Sequence, residues 1–369
     1  MTAETQTIPS IAGYAGTATQ SFGYDPLRRV IAASLGTVTR VYTYDADSNR
    51  LTANENGTTT SLTYDRTDEI TTQQVGAGGT VRNAAYDMYG NATSIPNPDG
   101  SATATTYGYD LADRLTTQTP ASGSGPVTYT VDALGRHRSR SVGGLADTYA
   151  YAGSGPAVVQ IANPSITTTS AIDALGSRLA TKTATSFGWL LPDLHGDIAA
   201  ALSATGATVT DAFRYDPYGK LVASATSSLP TPWRYQGRLL ESSGSDPALY
   251  DFVFRTYDPG LGAFLSADDV AGQAQNPITF NRFLYADANP ETLVDPDGHT
   301  SYNLDRGWDD RVLGQDRDAA IAYQTLAAMF KPARETSDFR SPRVASHSRR
   351  EVAAKETVGL QAHRTLQST

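Results

Sequence analysis

The chain has 369 residues, no cysteine, a formal net charge of −9 and 39% hydrophobic residues. Without cysteine there is no disulfide framework, no thiol nucleophile and no zinc–thiolate cluster, and the acidic balance argues against a nucleic-acid-binding body, which would want a basic face. The hydrophobic share is low for a compact α/β enzyme and suits thin sheets with one wet and one buried face.

In chain order, the start MTAETQTIPS lacks a basic patch followed by an apolar run, so a Sec leader is not expected. No apolar stretch is long enough to predict a membrane-spanning helix. Residues 1–22 are Thr- and Gly-rich and read as a partial repeat. A Tyr-Asp pair then returns at Tyr24-Asp25, Tyr44-Asp45, Tyr64-Asp65, Tyr86-Asp87 and Tyr109-Asp110, at intervals of 20, 20, 22 and 23 residues. Val131-Asp132 continues the series as a degenerate copy. A period in this range means a repeat architecture in which short units stack and none folds alone. Units such as YDADSNRLT (44–52) and YGYDLADRLTTQ (107–118) read as strand, polar turn, strand. Tyr suits a half-buried strand, with its hydroxyl reaching water or a backbone partner; the Asp bonds backbone amides further on and starts the turn. Two strands of about 5–6 residues with their turns fill the period, which predicts one β-hairpin per unit. Asp45, Asp47 and Asn49 alternate like calcium ligands, but an EF-hand wants Gly and Glu where Arg50 and Asn56 stand. No metal or cofactor is assigned.

Residues 143–188 are looser, with fading signals such as Ile172-Asp173. Residues 189–298 are denser in aromatics and Pro and include Tyr215-Asp216 and Tyr257-Asp258. His195, between Asp193 and Asp197, reads as part of a turn at the sheet edge, because a metal centre would want a second His nearby. Trp189, Trp233 and Trp308 read as core or seam aromatics. Behind this body, residues 299–369 carry 11 Lys/Arg against 9 Asp/Glu, whereas the preceding chain has 18 against 29. In that tail, DRDAAIAYQTLAAMFK (316–331) has apolar residues at helical intervals. The Pro-, Ser- and Arg-rich run behind it reads as partly disordered.

The Tyr-Asp units resemble the YD repeats of Rhs proteins, TcC toxin-complex subunits and wall-associated proteins. Three segments sharpen the resemblance: WLLPDLHGDIAAALSATGATVTDAFRYDPYGKLV (189–222), RTYDPGLGAFLSADD (255–269) and NRFLYADANPETLVDPDGH (281–299). The last two are similar to the family blocks Arg-Tyr-Tyr-Asp-Pro-x-x-Gly-Arg-Phe-x-Ser-x-Asp-Pro and Asn-x-Tyr-x-Tyr-x-x-Asn-Pro-x-x-x-x-Asp-Pro-x-Gly-Leu. The resemblance covers about residues 23–299 and implies three parts. These are YD repeats forming a partial shell over 1–188, an RHS repeat-associated core over 189–299, and a variable segment, remnant or start of a toxin module, over 300–369.

The resemblance further implies antiparallel hairpins winding into part of a curved or spiral β shell, whose end is an intramolecular aspartyl protease. By motif position its pair is Asp268 and Asp295, and the cut falls between His299 and Thr300. Such chemistry needs one carboxyl ionised to activate water and one protonated to polarise the carbonyl. This chain departs from the pattern at Asp269, where the family has Pro; at Ala263, where its Arg would supply a cation; and at His299, where its Leu suits an apolar pocket. Asp287 and Asp297 read as turn residues. About 24 strands at ~4.8 Å would close into a ring only ~37 Å across, so an open strand edge near residues 1–30 is expected.

The partners implied are the chain's own C-terminal segment, an upstream shell portion, a secretion-apparatus component and an immunity protein. The resemblance also implies secretion or surface display by a non-Sec route, with a cytoplasmic stage before export. The competing readings are a cell-surface module that binds glycans without catalysis, and a structural remnant with neither activity.

Overall fold

A computed structural model describes residues 2–7, 17–98, 100–121, 125–173, 176–226, 231–241, 248–299 and 301–303, all within one compact unit spanning Met1–Gln324. Thr300, Trp308 and the helical segment expected at 316–331 lie outside the described residues. What is described is antiparallel β structure. Its only helical elements are short 3-10 turns at Tyr235–Gly237, Pro277–Phe280 and Ala286–Ala288.

Two large sheets take their strands strictly in chain order. The first has eight, from Thr2–Thr7 to Arg82–Asn83; the second has fourteen, from Ala85–Tyr86 to Leu221–Thr226. Neither is closed. The edge strand expected near the start is Thr2–Thr7, paired with Thr17–Tyr24. The second sheet runs through residues 188 and 189 inside the single strand Phe187–Pro192, and the architecture changes only after Thr226.

The Tyr-Asp unit has a division of labour. In the two large sheets each Asp closes its own turn by accepting the amide four residues on: Asn49 N–H donates to Asp45 Oδ1 at 2.8 Å, Asn91 to Asp87 at 3.0 Å, Lys220 to Asp216 at 2.9 Å; Asp258 instead accepts the Gly260 and Leu261 amides. The residue three after the Asp lies in the left-handed region, as at Ser48 (φ 69°), Gly90 (φ 86°) and Gly219 (φ 88°). The degenerate Val131-Asp132 turns the same way, with Arg136 N–H on Asp132 Oδ1 at 3.0 Å, because the Asp rather than the Tyr makes the turn. The Tyr stitches to the previous unit. In several units its hydroxyl donates to the carbonyl five residues after the previous Asp: Tyr44 to Val30 at 2.6 Å, Tyr64 to Arg50 at 3.1 Å, Tyr215 to Ile198 at 3.0 Å.

Residues 231–241 and 248–299 form a closing segment against both sheets. It carries a third sheet of four short strands, Leu239–Glu241, Leu249–Asp251, Thr256–Asp258 and Ala263–Phe264. Tyr235, Tyr250, Phe252, Tyr257, Phe264 and Tyr285 are fully buried there and pack as a ring cluster, Tyr257 and Tyr285 with centroids 4.3 Å apart. Edge-to-face and offset contacts of this kind add to the burial of so much aromatic surface. The segment reaches the second sheet where Trp233 Nε1 donates to Ser170 at 2.8 Å, and the first where Asn281 Nδ2 donates to Asn49 at 2.7 Å. The last hairpin of the second sheet also meets the first: the Tyr44 and Tyr218 hydroxyls stand 2.5 Å apart, and Arg40 pairs with Asp216 at 3.2 Å.

Trp233 is buried, as expected of a core aromatic, but Trp189 is 45% exposed. Strand alternation places Trp189 with Phe187 and Leu191 on the face opposite buried Leu190, which corrects its assignment to the core.

Candidate active site

Two loops of the closing segment bring Asp268 and Asp295 to one residue, His299. After the strand Ala263–Phe264 the backbone runs beside the turn of an early unit, with Ala267 N–H donating to Gly90 O at 3.0 Å. Asp268 N–H then donates to Arg282 O at 2.9 Å, which fixes its position. Asp295 starts a tight turn: its Oδ1 accepts the amides of Gly298 at 2.8 Å and His299 at 3.1 Å. Gly298 sits at φ +91°, and a Cβ there would stand 3.1 Å from Phe252 O, so glycine alone fits. Asp297 also accepts the His299 amide, at 3.1 Å, in keeping with its reading as a turn residue. Asp287, at φ 51°, lies in the turn Ala286–Ala288.

From the other side, the His299 imidazole Nδ1 meets Asp268 Oδ1 at 2.8 Å, and its ring stacks on Phe254 with centroids 4.4 Å apart. His299 is thus held by its backbone on one carboxyl and by its side chain on the other. In place of the apolar pocket that the family's Leu suits, an aromatic face and a carboxylate receive this residue.

Arg255 ties the two carboxyls together. One nitrogen, Nη2, stands 3.1 Å from Asp268 Oδ2 and 3.8 Å from Asp295 Oδ2. Its Nε donates to Gly298 O, and its Nη1 to Arg282 O at 2.7 Å. A second, half-buried arginine, Arg238, donates to Pro296 O. The cation missing at Ala263 is therefore supplied by Arg255, from the start of the same motif block. Nothing in the sequence assigns Arg255 this role; its place at the head of the Arg-Thr-Tyr-Asp-Pro run is the one signal it carries.

The two acids titrate in opposite directions. Burial alone would raise Asp268, but the His299 hydrogen bond and the Arg255 charge outweigh it and hold Asp268 below the usual carboxylate range. Asp295 is 1% exposed. Burial pushes its carboxyl up, against Arg255 and the Gly298 amide, and Asp297 adds to the rise. Two carboxyls driven apart in this way can serve as base and acid.

His195 lies in the Asp193 turn and locks the closing segment. Its Nδ1 meets Asp197 at 3.1 Å, and Nε2 lies 3.3 Å from Leu293 O, two residues before Asp295. Burial disfavours its charge, but Asp197 outweighs that and pushes the imidazole up to about 10. Among the described residues, two clusters have donor atoms within 4.8 Å of one another and the chemistry to hold a metal: His137, Glu241 and Asp251, and Asp268, Asp269 and His299.

A family model described as Teneurin YD-shell matches residues 6–291. The tRNA nuclease WapA of Bacillus subtilis (strain 168) is 28% identical over 220 residues, 58% of this chain and 9% of that protein. The tRNA(Glu)-specific nuclease WapA of Bacillus subtilis subsp. natto is 34% identical over 107 residues, 28% of this chain and 4% of that protein. The chain therefore spans less than a tenth of the length of these curated relatives. Among solved structures, the crystal structure of TcdB2-TccC3-Cdc42 aligns with 83% of this chain and 17% of its own at 17% identity, with a TM-score of 0.49. The Photorhabdus luminescens Tc holotoxin pore aligns with 76% of this chain and 17% of its own at 16% identity, with a TM-score of 0.46.

Proposed function

This chain belongs to the Teneurin YD-shell family, and from that premise we propose that it is a portion of a secreted or surface-held toxin shell that severs its own C-terminal segment between His299 and Thr300. One observation carries the reading: His299 hangs by its amide on Asp295 and by its imidazole on Asp268, while a single Arg255 nitrogen reaches both carboxyls. In the reaction, ionised Asp268 takes a proton from water as the water oxygen attacks the His299 carbonyl carbon. Protonated Asp295 donates to the carbonyl oxygen. The C–N bond then breaks, the Thr300 nitrogen takes up the proton, and a carboxylate remains on His299. Arg255, on Gly298 O, holds the peptide ahead of the cut.

Segment 300–369 is then the cargo, the start or remnant of an effector module. The partners of the wall are that segment, an upstream shell portion, a component of a non-Sec secretion apparatus and an immunity protein. Intact-mass analysis of the purified 39.2 kDa chain tests the reading. Two fragments ending at His299 and beginning at Thr300 are expected, and Asp268→Asn or Asp295→Asn should leave one piece. An uncut unsubstituted chain would overturn it.

A glycan-binding surface module is the second reading, and Trp189 is what favours it. The ring is 45% exposed beside Phe187, with centroids 5.1 Å apart. Saturable binding to polysaccharide that Trp189→Ala abolishes would support it; binding that survives the substitution would not.

A further inference from the structure

We propose that Asp268, Asp269 and His299 bind one divalent transition-metal ion of the zinc class, and that the bound ion holds self-cleavage off; the second half rests on the proposed function, the first does not. The donors converge. His299 Nδ1 lies 2.8 Å from Asp268 Oδ1 and 3.6 Å from Asp269 Oδ1, and the three donor atoms fall within 4.8 Å of one another. Zinc bonds of about 2.0–2.2 Å place neighbouring ligand atoms roughly 3–4 Å apart, so small side-chain movements complete the set.

One imidazole nitrogen with two carboxylate oxygens suits zinc, cobalt or nickel better than magnesium or calcium, which prefer all-oxygen shells. Three protein donors leave a position for water, and the Asp269 side chain, 85% exposed, opens the site to solvent. Arg255 takes Asp268 through Oδ2, leaving Oδ1 directed at His299; Val270 N–H also donates to Oδ1, at 2.9 Å. The Phe254 face fixes the imidazole plane. Asp297 adds negative charge behind the His299 backbone.

At His137, Glu241 and Asp251, the charges of Arg140 and Arg238 bear on the two carboxylates, as Arg255 bears on Asp268; what singles out the His299 site is its donors. At the His299 site, two donors come from positions where this chain departs from the family pattern, and neither the Pro nor the Leu of that pattern offers a ligand atom. The site is therefore a property of this chain. An ion there occupies the oxygen with which Asp268 would take a proton from water, and restrains the residue whose carbonyl must be attacked.

The test separates the two halves. With the full-length Asp295→Asn chain, zinc is titrated against a chromogenic chelator. One equivalent is expected to bind, and adding Asp269→Asn or His299→Leu should weaken it by roughly tenfold or more. No bound equivalent, or equal binding by the ligand variants, overturns the site. In parallel, cleavage of the unsubstituted chain is followed with EDTA, with zinc and with magnesium. Zinc should slow it roughly tenfold or more, EDTA should restore it, and magnesium should do neither. A chain that cuts at the same rate with zinc sinks the inhibitory half. A chain that binds zinc but never cuts sinks the proposed function and leaves the site standing.

Discussion

Replacing Arg255 by Met should cost more than any surface change in this protein. The guanidinium is 6% exposed. It faces Asp268 and Asp295, donates to the Gly298 and Arg282 carbonyls, and lies 3.7 Å over the Phe264 ring. Met keeps part of the apolar contact with the ring but leaves a buried carboxyl without its cation. Breaking a buried pair from one side costs about 3–5 kcal/mol, which is roughly a thousandfold in the folding equilibrium. Arg255→Lys should fall between, since a single ammonium cannot serve two carboxyls and two carbonyls at once. Urea unfolding followed by tryptophan fluorescence reads the effect, because Trp233 is buried in the same closing segment. The triple variant Arg255→Met, Asp268→Asn, Asp295→Asn should recover much of the loss, having no stranded charge to bury. If Arg255→Met stays within about 1 kcal/mol of the parent, or if the triple variant is no better than the single one, the cation is not what holds these loops.

Other outcomes follow from the same contacts. His137 is pushed up to about 9: burial opposes its charge, but Glu241 at 3.1 Å and Asp251 outweigh it. A raised histidine stabilises fully below its unfolded pKa, so stability should fall between about pH 6.5 and 9, by up to about 3 kcal/mol, and His137→Gln should flatten that slope in thermal melts. Gly219→Ala should destabilise by about 1–3 kcal/mol, because its Cβ would meet the Tyr235 ring at 2.6 Å from a backbone at φ +88°. Asp110→Ala removes the acceptor for the Ala112 and Arg114 amides, at 2.9 and 3.2 Å. At that half-exposed turn the loss should be only about 1 kcal/mol in urea unfolding.

The hairpins were legible because their logic is local. Asp at one position and a left-handed residue three later are both visible in a string, so even Val131-Asp132 could be placed. The hydroxyl partners of Tyr44 and Tyr64 were foreseen only as "water or backbone", since naming Val30 and Arg50 requires knowing how one unit lies on the last. Asp268 and Asp295 were found through motif position. Arg255 was missed as their partner because the pairing crosses 13 and 40 residues of chain, and nothing in a linear pattern says which arginine folds inward. Trp189 was misplaced for a different reason. In FGWLLP both strand faces are apolar, so alternation alone cannot tell which side is wet.

The chain-ordered strands set a timetable. Each strand of the two large sheets pairs only with its neighbours in sequence, so the ribbon can grow while translation proceeds, with little entropy spent on closing long loops. The contacts of the closing segment belong to another epoch: Arg50 donates to Gly260 O across 210 residues, and Asn281 to Asn49 across 232. Asp268 and Asp295 meet only when those late contacts form. On the proposed function, scission would therefore be scheduled behind maturation, and a nascent polypeptide stalled before residue 281 would hold Asp268 but not Asp295.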